Sequence, residues 1–184
     1  MTQTATPPLA FESDHDEFAA TRPAPSWQAA LRAKGLASFR ALGLPTSRDE
    51  DWLYTNVQPL ARGHFPPAPE AQHPPTSLSS HRFLLGMDEG TRLVFLNGRY
   101  EASLSDTSDL PVGVTVESLA AVRDRGEVEH LGTVADASAH PFVALNQAYL
   151  DDGAVVRIQS GTVVHEPIQL LFLHDPVGHA VAVH

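Results

Sequence analysis

The chain has 184 residues, 42% apolar and 18% charged, a composition that excludes wholesale disorder and suffices for one or two packed domains. Twelve Lys and Arg stand against 22 Asp and Glu, a formal charge of −10, which disfavours a general polyanion binder because phosphate recognition draws on clustered cations. Cysteine is absent, so disulfides, Cys-type zinc sites, a thiol nucleophile and thiolate-held clusters are excluded within these residues.

The segment from Met1 to Pro8 has neither a basic region nor an apolar stretch, unlike a secretory signal, and no apolar run exceeds four residues. The expectation is a soluble, cytoplasmic protein. Residues 1–25 form a polar N-terminal arm. Within it, Leu9–Ala20 reads either as a short amphipathic helix carrying Leu9, Phe11 and Phe18 or as a frayed acidic arm.

Ser26–Leu42 is the clearest helix. Ser26 suits an N-cap, and Trp27, Ala30, Leu31, Phe39 and Leu42 share one face, with Leu36 opposite and Gly35 weakening the middle. Gly43 and Pro45 end it. Next, Ser47 followed by Glu50 fits a capping box, placing Asp49, Glu50 and Asp51 in a first helical turn. Trp52 and Tyr54 then read as anchors of a short helix on the long one, or as a partner-binding patch. With Asn56 they are the candidate partner-interface residues.

The helical region, 26–60, gives way to a Pro-rich connector, 61–80; six of the fifteen prolines fall within 59–75. A mixed α/β region, 81–150, follows. Strands are expected at His81–Leu85 and Arg92–Leu96, the latter turning at Asn97-Gly98 so that Arg99–Leu104 returns antiparallel. Val112–Val116 is a further strand, Glu117–Arg125 one or two helical turns, and Pro141–Leu150 a helix with Pro at its first position and Phe142, Leu145 and Tyr149 on its apolar stripe. From Ala154 the pattern changes to short strands at Ala154–Ile158, Pro167–Leu173 and Ala180–Val183, starting about a dozen residues apart, as in a β-solenoid or a β-sandwich. The last apolar run stops at His184, which reads as a chain cut inside its β domain, with an open edge prone to self-association.

The chemistry-bearing residues are sparse. No glycine-rich phosphate loop is present, and Lys34 is the sole lysine. His165, His174, His179 and His184 recur through the β segment; stacked on one solenoid face they would offer metal ligands, and a metal-dependent β-solenoid or β-barrel enzyme is the alternative reading. The plainer reading is exposed or hydrogen-bonded imidazoles. Asp151-Asp152 has the composition of an acid–base pair but, at a helix end before Gly153, reads as a solvated turn.

Three stretches taken in order carry a family resemblance: Phe39-x-x-Leu-Gly-Leu-Pro-Thr-Ser-Arg-Asp-Glu-Asp-Trp-Leu-Tyr-Thr-Asn56; Leu93-Val-Phe-Leu-Asn-Gly-Arg-Tyr100; and Phe142-Val-Ala-Leu-Asn-Gln-Ala-Tyr-Leu-Asp-Asp-Gly-Ala-Val-Val-Arg-Ile158, continued by Glu166-Pro-Ile-Gln-Leu170. From about Trp27 to His184 the chain resembles the N-terminal portion of the SufD iron–sulfur cluster assembly family of the SUF system. The resemblance implies an α+β fold, with a helical N-terminal domain followed by the first coils of a right-handed parallel β-helix in 151–184, truncated here. It implies a non-enzymatic scaffold subunit that pairs with SufB and binds the ATPase SufC, mainly through parts beyond His184. Clusters would assemble transiently on the full complex. No residue here matches a cluster ligand of the family, and the lack of cysteine suits SufD better than SufB.

Overall fold

Seventeen residues without proline or a β-branched side chain make α3 (Ser26–Leu42) the longest helix of the computed structural model, which describes residues 9–68, 90–126 and 128–174. The expected strands at His81–Leu85 and Ala180–Val183, and His179 and His184, lie outside the described residues. Helices and short strands mix in an α+β arrangement of two units. The described residues of the first are 9–67 and 129–150; those of the second are 68, 90–126, 128 and 151–174.

In the first unit, α3 packs against α6 (Pro141–Ala148), with α1 (Ala10–Ser13) and α2 (His15–Thr21) completing the core. Leu9–Ala20 is thus helical rather than frayed. Phe11 and Phe18 are buried with Phe39 and Tyr149, and the Tyr149 hydroxyl donates to the Phe11 carbonyl. Ser26 is not the N-cap; Pro25 occupies that position, without a side-chain cap.

The buried face of α3 also differs from the expected one. It carries Gln28, Arg32, Gly35, Leu36 and Phe39, while Ala30 and Leu42 are exposed. Two polar side chains on this face decide its direction. Gln28 Nε2 and Arg32 Nε both donate to the Leu150 carbonyl, at 3.0 and 2.7 Å. Arg32 Nη1 donates to the Arg22 carbonyl at 2.6 Å, and its guanidinium lies 4.7 Å from the Phe18 ring centre. His15 Nε2 lies 3.1 Å from the Ala148 carbonyl. The Ala148 carbonyl in the last turn of α6 and the Leu150 carbonyl just beyond it therefore find donors from α2 and α3, as the unpaired, electronegative end of a helix requires. A count of apolar residues cannot see a face chosen in this way.

Burial is the main cause that lowers the His15 pKa below 6.5; Arg32 and Arg40 lower it further, while the Ala148 carbonyl and Asp16 oppose. Folded His15 stays neutral where the unfolded chain already takes a proton. Its contribution to stability is therefore full above about pH 6.5 and is lost as pH falls from there through the depressed folded value. Chemical denaturation between pH 8 and pH 5 is expected to show a stability loss that His15→Gln abolishes. An identical slope in the variant would refute the assignment. Asp49, Asp106 and Asp136 act in a separate, lower window, their carboxylates held below 3.8 mainly by the hydroxyls and backbone N–H groups of Thr46, Ser108 and Ser138.

In the second unit, β1 (Arg92–Leu96) turns at Asn97 and Gly98, both at positive φ (50° and 82°), into β2 (Arg99–Tyr100). The return strand is shorter than expected. At Glu101 the side chain accepts from Ser103 N and starts a 3₁₀ turn at Ala102–Leu104. β1 also pairs in parallel with β5 (Gln169–Leu173), from Arg92↔Gln169 to Leu96↔Leu173. β3 (Val114–Ser118) pairs antiparallel with β4 (Ala154–Ile158) and leads into α5 (Leu119–Val122). The sheets are thus β2-β1-β5 and β3-β4, and neither is closed. Both faces of β1 are covered: Leu93 and Phe95 pack with Val114 and Val116, and Val94 and Leu96 pack with Leu173. The regular spacing of β4 and β5 does not make them neighbours. They belong to different sheets, because each finds its partner far back in the chain.

Candidate functional site

Gly43, at φ 68°, ends α3, and the chain enters a structured turn over 45–58. The Asp49 carboxylate accepts from Thr46 N at 2.7 Å and from Thr46 Oγ1 at 3.1 Å; the Thr46 carbonyl accepts from Asp49 N at 3.0 Å. These bonds replace the expected Ser47–Glu50 capping box. Asp49 spends its carboxylate backwards on Thr46, so only a 3₁₀ turn, Glu50–Trp52, follows.

Of the three candidate interface residues, two have structural partners. The Trp52 ring lies 5.0 Å from that of Phe142, on α6. Asn56 Oδ1 accepts from Gln58 N at 3.0 Å, at the start of α4 (Gln58–Arg62). Tyr54 is 95% exposed and its neighbour Leu53 52%. Together the segment walls an open cleft of about 420 Å³, lined by Thr46, Ser47, Leu53, Tyr54, Asn56 and Gln58 among others. Sequence reading found the aromatics but not the cleft beside Tyr54.

The other candidates separate cleanly. His165 and His174 are exposed, and among the described residues no three His, Asp or Glu side chains gather as a metal-holding group. Nothing in this geometry favours the metal-dependent enzyme. Asp151-Asp152 is not a solvated turn. Asp152 Oδ2 accepts from Tyr100 N at 2.9 Å, and Oδ1 accepts from Ala120 N at 3.0 Å and Gly153 N at 2.8 Å. Asp151 pairs with Arg99 at 3.2 Å and with Arg123 at 4.0 Å. These carboxylates tie β2, α5 and the start of β4 together. The signal available in the sequence was an Asp–Asp–Gly ahead of a strand, which does not say whose amides it meets.

This arrangement lies within a stretch, residues 11–170, that matches the family profile described as SufBD protein N-terminal region. The chain belongs to the SufBD family. Over 136 residues it is 36% identical to an iron–sulfur cluster assembly SufBD family protein of Synechocystis sp., an overlap of 72% of this chain and 29% of that protein. The chain thus spans under a third of the relative's length. The SufBD match takes in both units: the α3–α6 pair, the 45–58 turn and the Asp151-Asp152 tie all fall inside it. No helix among the described residues is long and apolar enough to cross a membrane.

Proposed function

We propose that this SufBD-family chain is the N-terminal part of a SufD-type scaffold subunit, which supplies shape to a cytoplasmic SufB–SufC–SufD complex and does no chemistry itself. The family match over residues 11–170 carries this reading. The absence of cysteine supports the SufD side of the pair, since these residues offer no thiolate to a nascent cluster. The cluster is cargo, built transiently on the full complex, and ATP hydrolysis falls to SufC. Trp52 belongs to the scaffold's own packing, and Tyr54 is the member of the predicted trio that remains for a partner.

The same reading makes the second unit the first coil of a right-handed parallel β-helix. Its support is the five-pair parallel register of β1 with β5 and the placing of β4 in the other sheet. Val156 and Ile158 on β4, and Leu170 and Phe172 on β5, are partly exposed opposite buried partners in β3 and β1. Such half-covered apolar strands fit a coil that continues, and in isolation they favour self-association.

A chimera tests the reading. Residues 11–170 of this chain would replace the matching region of the Synechocystis relative. The chimera is expected to co-purify with SufB and SufC and to sustain the activity of an iron–sulfur reporter enzyme. A chimera that folds with a cooperative thermal transition yet retains neither partner would overturn it.

A further inference from the structure

We propose that His15 is an acid-released latch: its neutral ring seats α1 and α2 on the end of α6, and a proton on that ring opens the segment locally while α3 and α6 stay packed. The inference is independent of the assembly reading and stands on the first unit alone.

The segment is separable. Helices of 4 and 7 residues are too short to hold themselves, and Pro23-Ala24-Pro25 joins them to α3. They are held by their seat: Phe11 and Phe18 in the core, the Tyr149 hydroxyl on the Phe11 carbonyl, Arg32 on the Arg22 carbonyl, and His15 on the Ala148 carbonyl. α3 and α6 are joined without it, by the close approach at Gly35 and by Gln147 Nε2 donating to the Leu31 carbonyl.

His15 stands in the middle of that seat. It is 7% exposed, with its ring centre 5.5 Å from that of Tyr149 and 6.2 Å from that of Phe18. A carbonyl only accepts, so Nε2 carries the hydrogen of the neutral ring, and Nδ1 needs no partner. A proton adds a donor at Nδ1 and a charge among aromatic rings. Burial is what chiefly opposes that charge, and Arg32 and Arg40 of α3 oppose it further; the Ala148 carbonyl and Asp16 of α2 favour it without offsetting them. The other groups nearby are engaged or neutral. Glu12 of α1 pairs with Arg40 at 3.2 Å, Asp14 pairs with His64 at 2.9 Å, burial keeps the Tyr149 hydroxyl protonated, and α6 has no charged residue. The opened segment takes the proton at the ordinary value of 6.5 and the seated one only below it, so falling pH favours opening.

Hydrogen exchange of the full chain in low urea, at about pH 7.5 and pH 6 and corrected for intrinsic exchange, reads the opening. The Phe18 and Arg22 amides, bonded at either end of α2, are expected to be at least ~10-fold less protected than those of Leu36 and Phe39, with a weaker urea dependence. Between the two pH values the opening constant of α2 is expected to rise ~2- to 4-fold, about 4-fold being the most that one proton bound at 6.5 can give. His15→Gln keeps a donor for the Ala148 carbonyl but does not titrate, and is expected to abolish the rise. His64→Gln, at the exposed pair with Asp14, is expected to keep or enlarge it, since that pair tightens on protonation. The His15 imidazole followed by NMR in the wild-type chain, which needs no variant, is expected to titrate below 6.5. α2 amides as protected as those of α3, no rise in the wild type, a rise that persists in His15→Gln, or an imidazole titrating at or above 6.5 would each overturn the proposal.

Discussion

Replacing Gly35 with alanine is expected to destabilise the first unit, although alanine is the better helix former. A Cβ at position 35 would lie 2.5 Å from Ala148 N, 2.8 Å from the Ala144 carbonyl oxygen and 2.9 Å from Gln147 C. All three are backbone atoms, so no rotamer change relieves the contact. The helices must separate by most of an ångström, and they cannot do so freely. Gln28 and Arg32 hold the Leu150 carbonyl, and Gln147 Nε2 holds the Leu31 carbonyl at 2.9 Å, on either side of the contact. An exposed helical Gly→Ala change gains about 1 kcal/mol. Overpacking against rigid neighbours costs roughly 1–3 kcal/mol, occasionally more. The contact outweighs the propensity gain, so the net expectation is a loss of up to about 2 kcal/mol, with Gly35→Val worse. Urea denaturation of the chain measures it; a variant more stable than wild type would show that α3 and α6 are not in this close approach.

Asp152→Ala is expected to loosen the second unit by about 2–4 kcal/mol, well beyond the ±0.5 kcal/mol typical of a surface carboxylate. Its two oxygens accept three backbone N–H groups, those of Tyr100, Ala120 and Gly153. Ala120 stands in the first turn of α5, where N–H groups lack intrahelical partners; the Ser118 hydroxyl serves Ala121 beside it. Removing the carboxylate strips acceptors from β2, α5 and the start of β4 together. For the part-buried amides of Tyr100 and Gly153, a lost acceptor costs more than the bond itself contributed, whereas water reaches that of Ala120. Asp152→Asn keeps one acceptor oxygen and turns an amide donor towards the other amides, so an intermediate loss is expected. Amide exchange at Tyr100 and Ala120 should quicken in both variants. Unchanged exchange with a stability change under about 0.5 kcal/mol would mean that the three bonds carry no weight.

The two substitutions rank above the other tests because each breaks a contact between elements distant in the chain. Position 35 meets residues more than a hundred positions later, and Asp152 reaches back fifty-two residues to Tyr100. This is where reading from sequence meets its limit. Gly35 looked like a weak point within a helix, and Asp151-Asp152 looked like a turn open to water. Both descriptions follow from local rules, and both change sign once the partner is known. The face of α3 failed for the same reason. Hydrophobic periodicity assigned burial to Ala30 and Leu42 and withheld it from Leu36, whereas Gln28 and Arg32 turn inward to satisfy the end of α6.

The candidate site was legible in part. Trp52 and Tyr54 stood out as aromatics among charged residues, and their stretch lies within the SufBD match. Their opposite roles, one ring on Phe142 and the other in solvent, were not legible, because Phe142 arrives from ninety residues later.

What the sequence determined by itself is punctuation and kinship. Gly43 with Pro45 stops α3, Asn97-Gly98 makes the hairpin, and Pro141 starts α6, since each acts through backbone dihedrals confined to its own few residues. The ordered set of motifs likewise carried membership of the SufBD family. Tertiary structure alone decided which helix face is buried, that 129–150 returns to the N-terminal helices, that β4 and β5 join different sheets, and which carboxylates hold the backbone. Those outcomes depend on donors, acceptors and close approaches supplied by remote segments, and no local pattern encodes a partner that the chain has yet to bring near.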